Sequence, residues 1–476
     1  MKNLMNKFWV LMTIAVGLSI TSCSDVTDLN IDPNNPTAVP AANLVTQAQF
    51  SLYNRLHSRV YNGEWTMLMV QHWAQNEYAE ESRYLADRNT FNTTWEVFYA
   101  SVLNELTAAK NIINADANIP AARKANQLAI IEVLMVDAFH NATDAWGSIP
   151  YNQAINPEFP NPSYDNQQTI YMDLLSRLDA AIASMDTGSG SFDSGDIIFN
   201  GDVASWKTLA ASLMMRIAMR VSDVDNGTAQ SYVSKADGYG VMSSTADNAL
   251  FIFDSEPDLS NPLYVDATLN NRDDFAVTDV LVDHLTNTGD PRIEQYAALT
   301  PSGDYTGMPY GLTDAEAFAL KSTTSRPSLR VREATAPHVV MDFAEVAFLK
   351  AEAVERGYLS GTASAYYDMG VSASMEYWGY ADASGFLAAN PYDAANWKES
   401  IGTQKWVAFY MNGPQAWAEW RRLDYPQLAV PAAASNPVIP VRLPYPISEE
   451  TNNGTSLGAV SSNIDDMSTK LWWDVN

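Results

Sequence analysis

The residues best equipped for chemistry are few and scattered. Histidines stand at 57, 72, 140, 284 and 338 with no His-x-x-x-His or His-Glu pairing, so the spacing of a zinc site is missing and each reads as a core or surface histidine. Glycines 188, 190 and 195 fall in a Ser-rich linker and not between a strand and a helix, which gives no phosphate cradle. Asp223-Val224-Asp225-Asn226-Gly227 starts like a calcium loop but lacks the bidentate Glu at the right distance, and reads as an Asx-rich turn. Glu80-Glu81 is a carboxylate pair of the kind glycosidases use, yet adjacent side chains seldom point into one cleft. No catalytic residue, metal or cofactor is expected, and a helical glycoside hydrolase stays open as the alternative.

One thiol does carry specific chemistry. Cys23 is the single cysteine in 476 residues, and it closes Leu18-Ser19-Ile20-Thr21-Ser22-Cys23. Lys2 and Lys7 precede an apolar stretch from Phe8 to Ile20, too short for the roughly 20 residues of a membrane-spanning helix. This is the order of a secretory signal, with a cysteine where cleavage falls. Bacterial lipoproteins diacylate that thiol, and two or three acyl chains anchor a protein stably where one does not. The expectation is a signal peptide over 1–22, a lipidated and extended tether over 23–40, and one domain over 41–476. With Cys23 acylated, neither a disulfide nor a thiolate site is left.

The formal charge of −28 repels phosphates and anionic lipid headgroups, so nucleic acid is excluded as a partner. The 13 Trp and 23 Tyr stand against only 18% charged residues. Most must be core, but aromatics in loops suit a sugar: ring faces pack on pyranose C–H faces while amides and charged groups satisfy hydroxyls. Three loops have that make-up. The first, 71–91, holds Trp73, Gln75, Asn76, Tyr78, Arg83, Tyr84 and Arg88; the second holds Tyr264 with Asn270 and Asn271; the third holds Tyr305 and Tyr310 among glycines. The candidate ligand residues are Trp73, Gln75, Tyr78, Arg83, Tyr84, Tyr264, Tyr305 and Tyr310, with Tyr78 and Tyr84 foremost; burial in the core is the rival role for each.

The elements that must position these loops are helical. Apolar residues near a 3.6 period predict helices over 95–115, 121–142, 169–185 and 203–221. Met341 to Tyr380 reads as a helical hairpin: Asp342 and Glu345 have capping-box spacing, Glu352 precedes Arg356 at i,i+4, Gly357 suits a C-terminal cap, and a second helix follows from Thr362. It resembles a tetratricopeptide unit of about 34 residues, without a strict repeat consensus. Long segments rich in Pro, Asn, Asp and Gly separate the helices, and such loops are usually functional. Strand signals are few and short, Asn248–Asp254 and Pro437–Leu443 being the best. The fold class is mainly α: tetratricopeptide-like helix pairs with long irregular loops and a few short strands.

The C-terminal half carries a family resemblance. Gly413-Pro414-Gln415-Ala416-Trp417-Ala418-Glu419-Trp420-Arg421-Arg422-Leu423-Asp424, then Ile439-Pro440-Val441-Arg442-Leu443-Pro444-Tyr445-Pro446, then Lys470-Leu471-Trp472-Trp473-Asp474 resemble the SusD/RagB-like outer-membrane lipoproteins. Asn30-Ile31-Asp32-Pro33-Asn34, Asp144-Ala145-Trp146-Gly147, Asp290-Pro291-Arg292 and Phe343-Ala344-Glu345 agree in order along the chain. The resemblance implies four tetratricopeptide-like helix pairs, a looped ligand face, no enzymatic activity, and a place on the cell surface as lid of a SusC-like TonB-dependent β-barrel. It also implies that the segment before the Trp95 helix contributes ligand contacts, and that the ligand is an oligosaccharide or peptide. Arg421, Arg422, Arg442, Trp472 and Trp473 are expected to tie loops to the scaffold. A scaffold that only organises other envelope proteins is the third reading.

Overall fold

The computed structural model describes residues 39–476, so the expected signal peptide, Cys23 and all but the last two residues of the tether lie outside it. Helix α1 (Ala41–Leu56) buries Val45, Ala48, Leu52 and Leu56, one apolar stripe at helical spacing. It packs on a long helix that starts as α2 (Asn89–Glu96), passes through π-helical Val97–Leu103 and ends as α3 (Asn104–Ala115). The helix expected over 95–115 is therefore present but begins earlier. Next, α4 (Ala121–Trp146) runs beyond the expected Ala142 until Gly147, whose φ of 85° stops it. It pairs with α5 (Gln167–Ser184), whose first turn is capped by Asn166 Oδ1 accepting from Thr169 N at 2.9 Å. The third pair is α6 (Val203–Arg220) on α7 (Asn226–Tyr239). Here the Asp223–Gly227 run resolves into a cap and an ion pair: Asp225 accepts from Thr228 N at 3.0 Å and Asp223 meets Arg356 at 2.8 Å.

After short α8 (Asp314–Leu320), the fourth pair is α9 (Phe343–Glu355) on α10 (Ala363–Tyr377). The capping box is only half made. Asp342 Oδ1 accepts from Glu345 N at 2.8 Å, but the Glu345 carboxylate turns to Arg216 on α6, 2.6 Å from Nε and from Nη2. Glu352 does meet Arg356 at 2.8 Å, as the spacing predicts. It also receives both Nη atoms of Arg422 at 2.5 and 2.6 Å, so the pair sits in a buried network and not on a surface. Burial alone would raise the Glu352 pKa; the Arg422 guanidinium beside it holds the carboxyl well below the usual range. Glu419 extends the network to Arg422 at 2.6 Å and to Lys405. It thereby ties α9 to α11 (Trp397–Ala408) and α12 (Gly413–Leu423).

Three two-stranded antiparallel ladders tack the loops down: β1 (Trp73–Gln75) with β5 (Phe275–Val277), β2 (Ile149–Pro150) with β3 (Tyr164–Asp165), and β4 (Ala249–Phe251) with β6 (His338–Met341). The strand expected at Asn248–Asp254 is β4, trimmed. The one expected at Pro437–Leu443 does not form, because Pro437 and Pro440 remove ladder donors within it. Val441 N and Leu443 N instead reach Met467 O and Ala145 O, each at 2.8 Å. Arg421 secures the same loop, its guanidinium 3.7 Å from the Trp417 ring centre and 5.0 Å from that of Trp473 while donating to Asp144 O and Val441 O at 2.8 Å. Arg442 stacks on Tyr445 at 4.7 Å. Helix α13 (Ile447–Gly458) follows this loop.

Candidate functional site

The turn that follows β1 is assembled by short-range bonds. Gln75 N donates to Ser82 Oγ at 3.0 Å, Gln75 Oε1 accepts from Ser82 N at 2.9 Å, and Gln75 Nε2 donates to Glu81 Oε2 at 2.6 Å. Asn76 N donates to Asp274 O at 2.8 Å, extending the β1–β5 pairing by one rung. Held at both ends, the turn puts Tyr78 outward, 62% exposed, with φ at 54°. Gln71, Tyr84 and Asn271 share that left-handed region around the same ladder. Non-glycine residues there are strained, and such strain gathers where a fold serves a ligand.

Helix α8 faces this turn. Thr313 and Glu316 form a complete capping box, Glu316 Oε2 accepting from Thr313 N at 3.0 Å and from its hydroxyl at 2.6 Å. The helix presents Phe318, 61% exposed. Two ties fix it to the turn: Ala79 N donates to Asp314 Oδ1 at 2.7 Å, and Lys321 Nζ meets Glu77 Oε1 at 2.7 Å. Between them lies a concavity of about 500 Å³ lined by Glu77, Tyr78, Asp314, Ala315 and Phe318. Arg272 lies 5.4 Å from the Tyr78 ring centre and is itself held by Asp274 at 2.5 Å, so a fixed cation restrains the ring. Two exposed aromatics flanked by carboxylates and an ammonium can hold a hydroxyl-rich ring by stacking and hydrogen bonding.

The eight candidate residues divide sharply. Tyr78 lines the concavity and Arg83 stands at its edge, 3.9 Å from Asp314. Trp73 is core: it donates from Nε1 to the Tyr410 hydroxyl at 2.9 Å and packs on Phe275 at 5.1 Å. Gln75 is buried and spent on the turn itself. Tyr84 is buried against Tyr310, ring centres 6.3 Å apart, and burial pushes its phenol up to about 12. Those side chains shape the site from behind and offer no face to a ligand. Tyr264 and Tyr305 are half-buried and do not line the concavity; Tyr305 lies near Glu294, and burial followed by that charge raises its pKa. Phe318 and Asp314 were missed. Their signal is the capping-box run Thr313-Asp314-Ala315-Glu316, which starts a short helix with a lone aromatic among alanines.

Paired helices carrying a looped aromatic concavity define a helical binding protein. A family model described as "Starch-binding associating with outer membrane" matches residues 33–446, and the chain belongs to this SusD-like family. A solved chitin-binding protein is 28% identical with a TM-score of 0.82, covering 92% of this chain and 100% of that one. A chitin-binding SusD homologue from Flavobacterium johnsoniae is 23% identical with a TM-score of 0.80, covering 91% of this chain and 99% of that one. A SusD homologue from Bacteroides thetaiotaomicron is 23% identical with a TM-score of 0.78, covering 92% and 100%. At those lower identities the likeness establishes the fold. No curated protein matches the sequence. The mainly α fold and the resemblance drawn from the motifs are thus shown, and no helix among the described residues is long and apolar enough to cross a membrane.

Proposed function

We propose that this chain is a surface lipoprotein, anchored through Cys23 at the outer membrane, that captures an oligosaccharide without cleaving it. It would serve as lid for a SusC-like TonB-dependent barrel. The observation that carries the reading is the pair of exposed aromatics, Tyr78 and Phe318, held across one concavity beside Glu77, Asp314 and Lys321. The chitin-binding relative at 28% identity supports a carbohydrate as the ligand class. Binding drives lid closure only by its differential affinity for the closed state, so no chemistry on the substrate is required.

Calorimetric titration of the detergent-solubilised full chain against neutral oligosaccharides and peptides tests this. Tyr78→Ala with Phe318→Ala should weaken oligosaccharide binding by about 1–3 kcal/mol in total if both rings stack on sugar. Unchanged affinity would move the site away from this concavity, and release of shortened sugar would favour the hydrolase instead. Co-purification with a large β-barrel in mild detergent tests the lid role.

A further inference from the structure

A second and larger cleft, about 670 Å³, opens between α2 with its π-helical continuation, the loop 150–162 and α13. That volume lies within the usual span of small-molecule sites, about 300–1,000 Å³. Its walls are fixed to one another. The Tyr99 hydroxyl donates to Pro150 O at 2.8 Å, and the Tyr164 hydroxyl donates to Glu449 Oε2 at 2.7 Å. Ser448 N donates to Asn92 Oδ1 at 3.0 Å and Asn453 Nδ2 to Pro162 O at 2.9 Å. A preformed cleft loses little conformational entropy when it takes a ligand.

Two local irregularities border it. The helix wall is the π-helical stretch Val97–Leu103, and π segments recur at functional sites. On the opposite side Ile155, a β-branched residue, is held at φ 55°, a conformation that persists only where surrounding structure enforces it. The cleft also keeps polar capacity unused. Ser448 Oγ is shielded from solvent with no protein partner, and among the described residues nothing donates to Glu449 Oε1.

The lining chemistry selects a ligand class. Tyr99 and Phe159 supply aromatic surface beside the largely buried Trp95, while Asn104, Asn156 and Asn452 supply amide donors and acceptors. Glu96 and Glu449 add carboxylates, and among the described residues no lysine or arginine lines the cleft. Rings with amides and carboxylates suit C–H faces and hydroxyls. Carboxylates without a cation reject sulfated, phosphorylated or uronic sugars, as does the charge of −28 on the chain. The Tyr78 concavity differs, since Lys321 and Arg272 stand beside it. We propose that this cleft is a second carbohydrate site, taking a short neutral oligosaccharide independently of the Tyr78 face. The proposal rests on the ligand class proposed above but not on that concavity.

Hydrogen-exchange mass spectrometry on the full chain in detergent micelles tests it, with triacetylchitotriose, cellotriose and maltotriose as probes and trigalacturonate as the acidic control. A neutral probe should slow exchange over 150–162 and 447–458. Phe159→Ala with Asn452→Ala, both at exposed positions, should weaken that protection about tenfold while any protection over 76–84 stays. Tyr78→Ala with Phe318→Ala should do the reverse. The proposal is overturned if no probe protects the cleft, if the Phe159/Asn452 variant protects it as the native chain does, or if trigalacturonate protects it equally. It is also overturned if co-purified barrel covers the cleft and sugar adds nothing. Absence of protection over 76–84 alone would fault the Tyr78 concavity and leave this site standing.

Discussion

His57 lies buried between Phe253 and His338, ring centres 5.5 and 5.6 Å away, with neither ring nitrogen hydrogen-bonded. Burial pushes its pKa down to about 4, because the imidazolium has no partner to replace its hydration. The native state therefore binds fewer protons than the unfolded chain, where the histidine titrates near about 6.5. The stability this neutral ring lends is complete above that value and is lost as pH falls through about 4, a loss of about 3 kcal/mol. Buried Asp342, raised to about 7, has the opposite sign: its share is complete below the unfolded carboxylate range and is lost as pH rises through about 7. Because the two trends oppose, the native profile is blunted, and a single substitution separates them. His57→Leu should match the native chain at pH 7.5 in denaturant melts and lose about 3 kcal/mol less than it between pH 7 and pH 4. A difference between the two chains that stays constant with pH would show that His57 titrates in the fold as it does in the unfolded chain. Spacing alone predicted histidines that are core or surface residues; which of them are unpartnered depends on Phe253 and His338, distant in sequence.

The α9–α10 crossing shows how closely one element approaches another. A Cβ at Gly370 would stand 2.8 Å from the Phe348 ring, which is fully buried and cannot swing aside. Gly370→Val gains under about 0.5 kcal/mol of helix propensity. Overpacking costs about 1–3 kcal/mol, so the clash decides and the variant should be less stable by about 1–3 kcal/mol. Phe348→Leu in the same chain should restore part of that loss; a Gly370→Val chain as stable as the native one would rule out the close crossing. The helices of this pair were legible from apolar period, from Asp342 as cap and from Gly357 at φ 74°. What was not legible came from contacts far apart in sequence. Glu345 leaves its capping box because Arg216 recruits it, and β1 and β5 are three-residue strands that exist only through each other. The same pairing decides the site: β1 turns Trp73 into the core and releases Tyr78 outward, so a list of loop aromatics could name both without separating them. Phe318 escaped because a single ring in a seven-residue helix is indistinguishable, by pattern, from a core residue.

At the scale of the whole molecule, the charge of −28 limits what can hold the chain at a membrane. Its own field repels an anionic surface, and screening weakens that repulsion within about 10 Å at 0.1 M salt without turning it into attraction. No helix among the described residues can span a bilayer. In the reading proposed above, retention comes from lipid or from a membrane-embedded partner, and Cys23 is where lipid chemistry is available. Cys23→Ala should leave the fold of 41–476 unaltered by circular dichroism and melting, remove acyl labelling, and shift the protein to the soluble fraction at any salt concentration. Membrane association that survives in the variant without acyl label, in cells lacking the proposed partner barrel, would refute the lipid anchor. If retention instead disappears only when the barrel is deleted, the partner supplies the anchor and the lid contact is the stronger of the two. The lid role proposed above calls for both: the lipid would keep the chain at the surface while open, and the barrel contact would set where it closes. Under that proposal, an effective concentration in the millimolar range from such tethering would let a weak lid–barrel interface reclose efficiently. Tight binding at the Tyr78 concavity is then unnecessary, which fits an open, 500 Å³ concavity with two stacking rings.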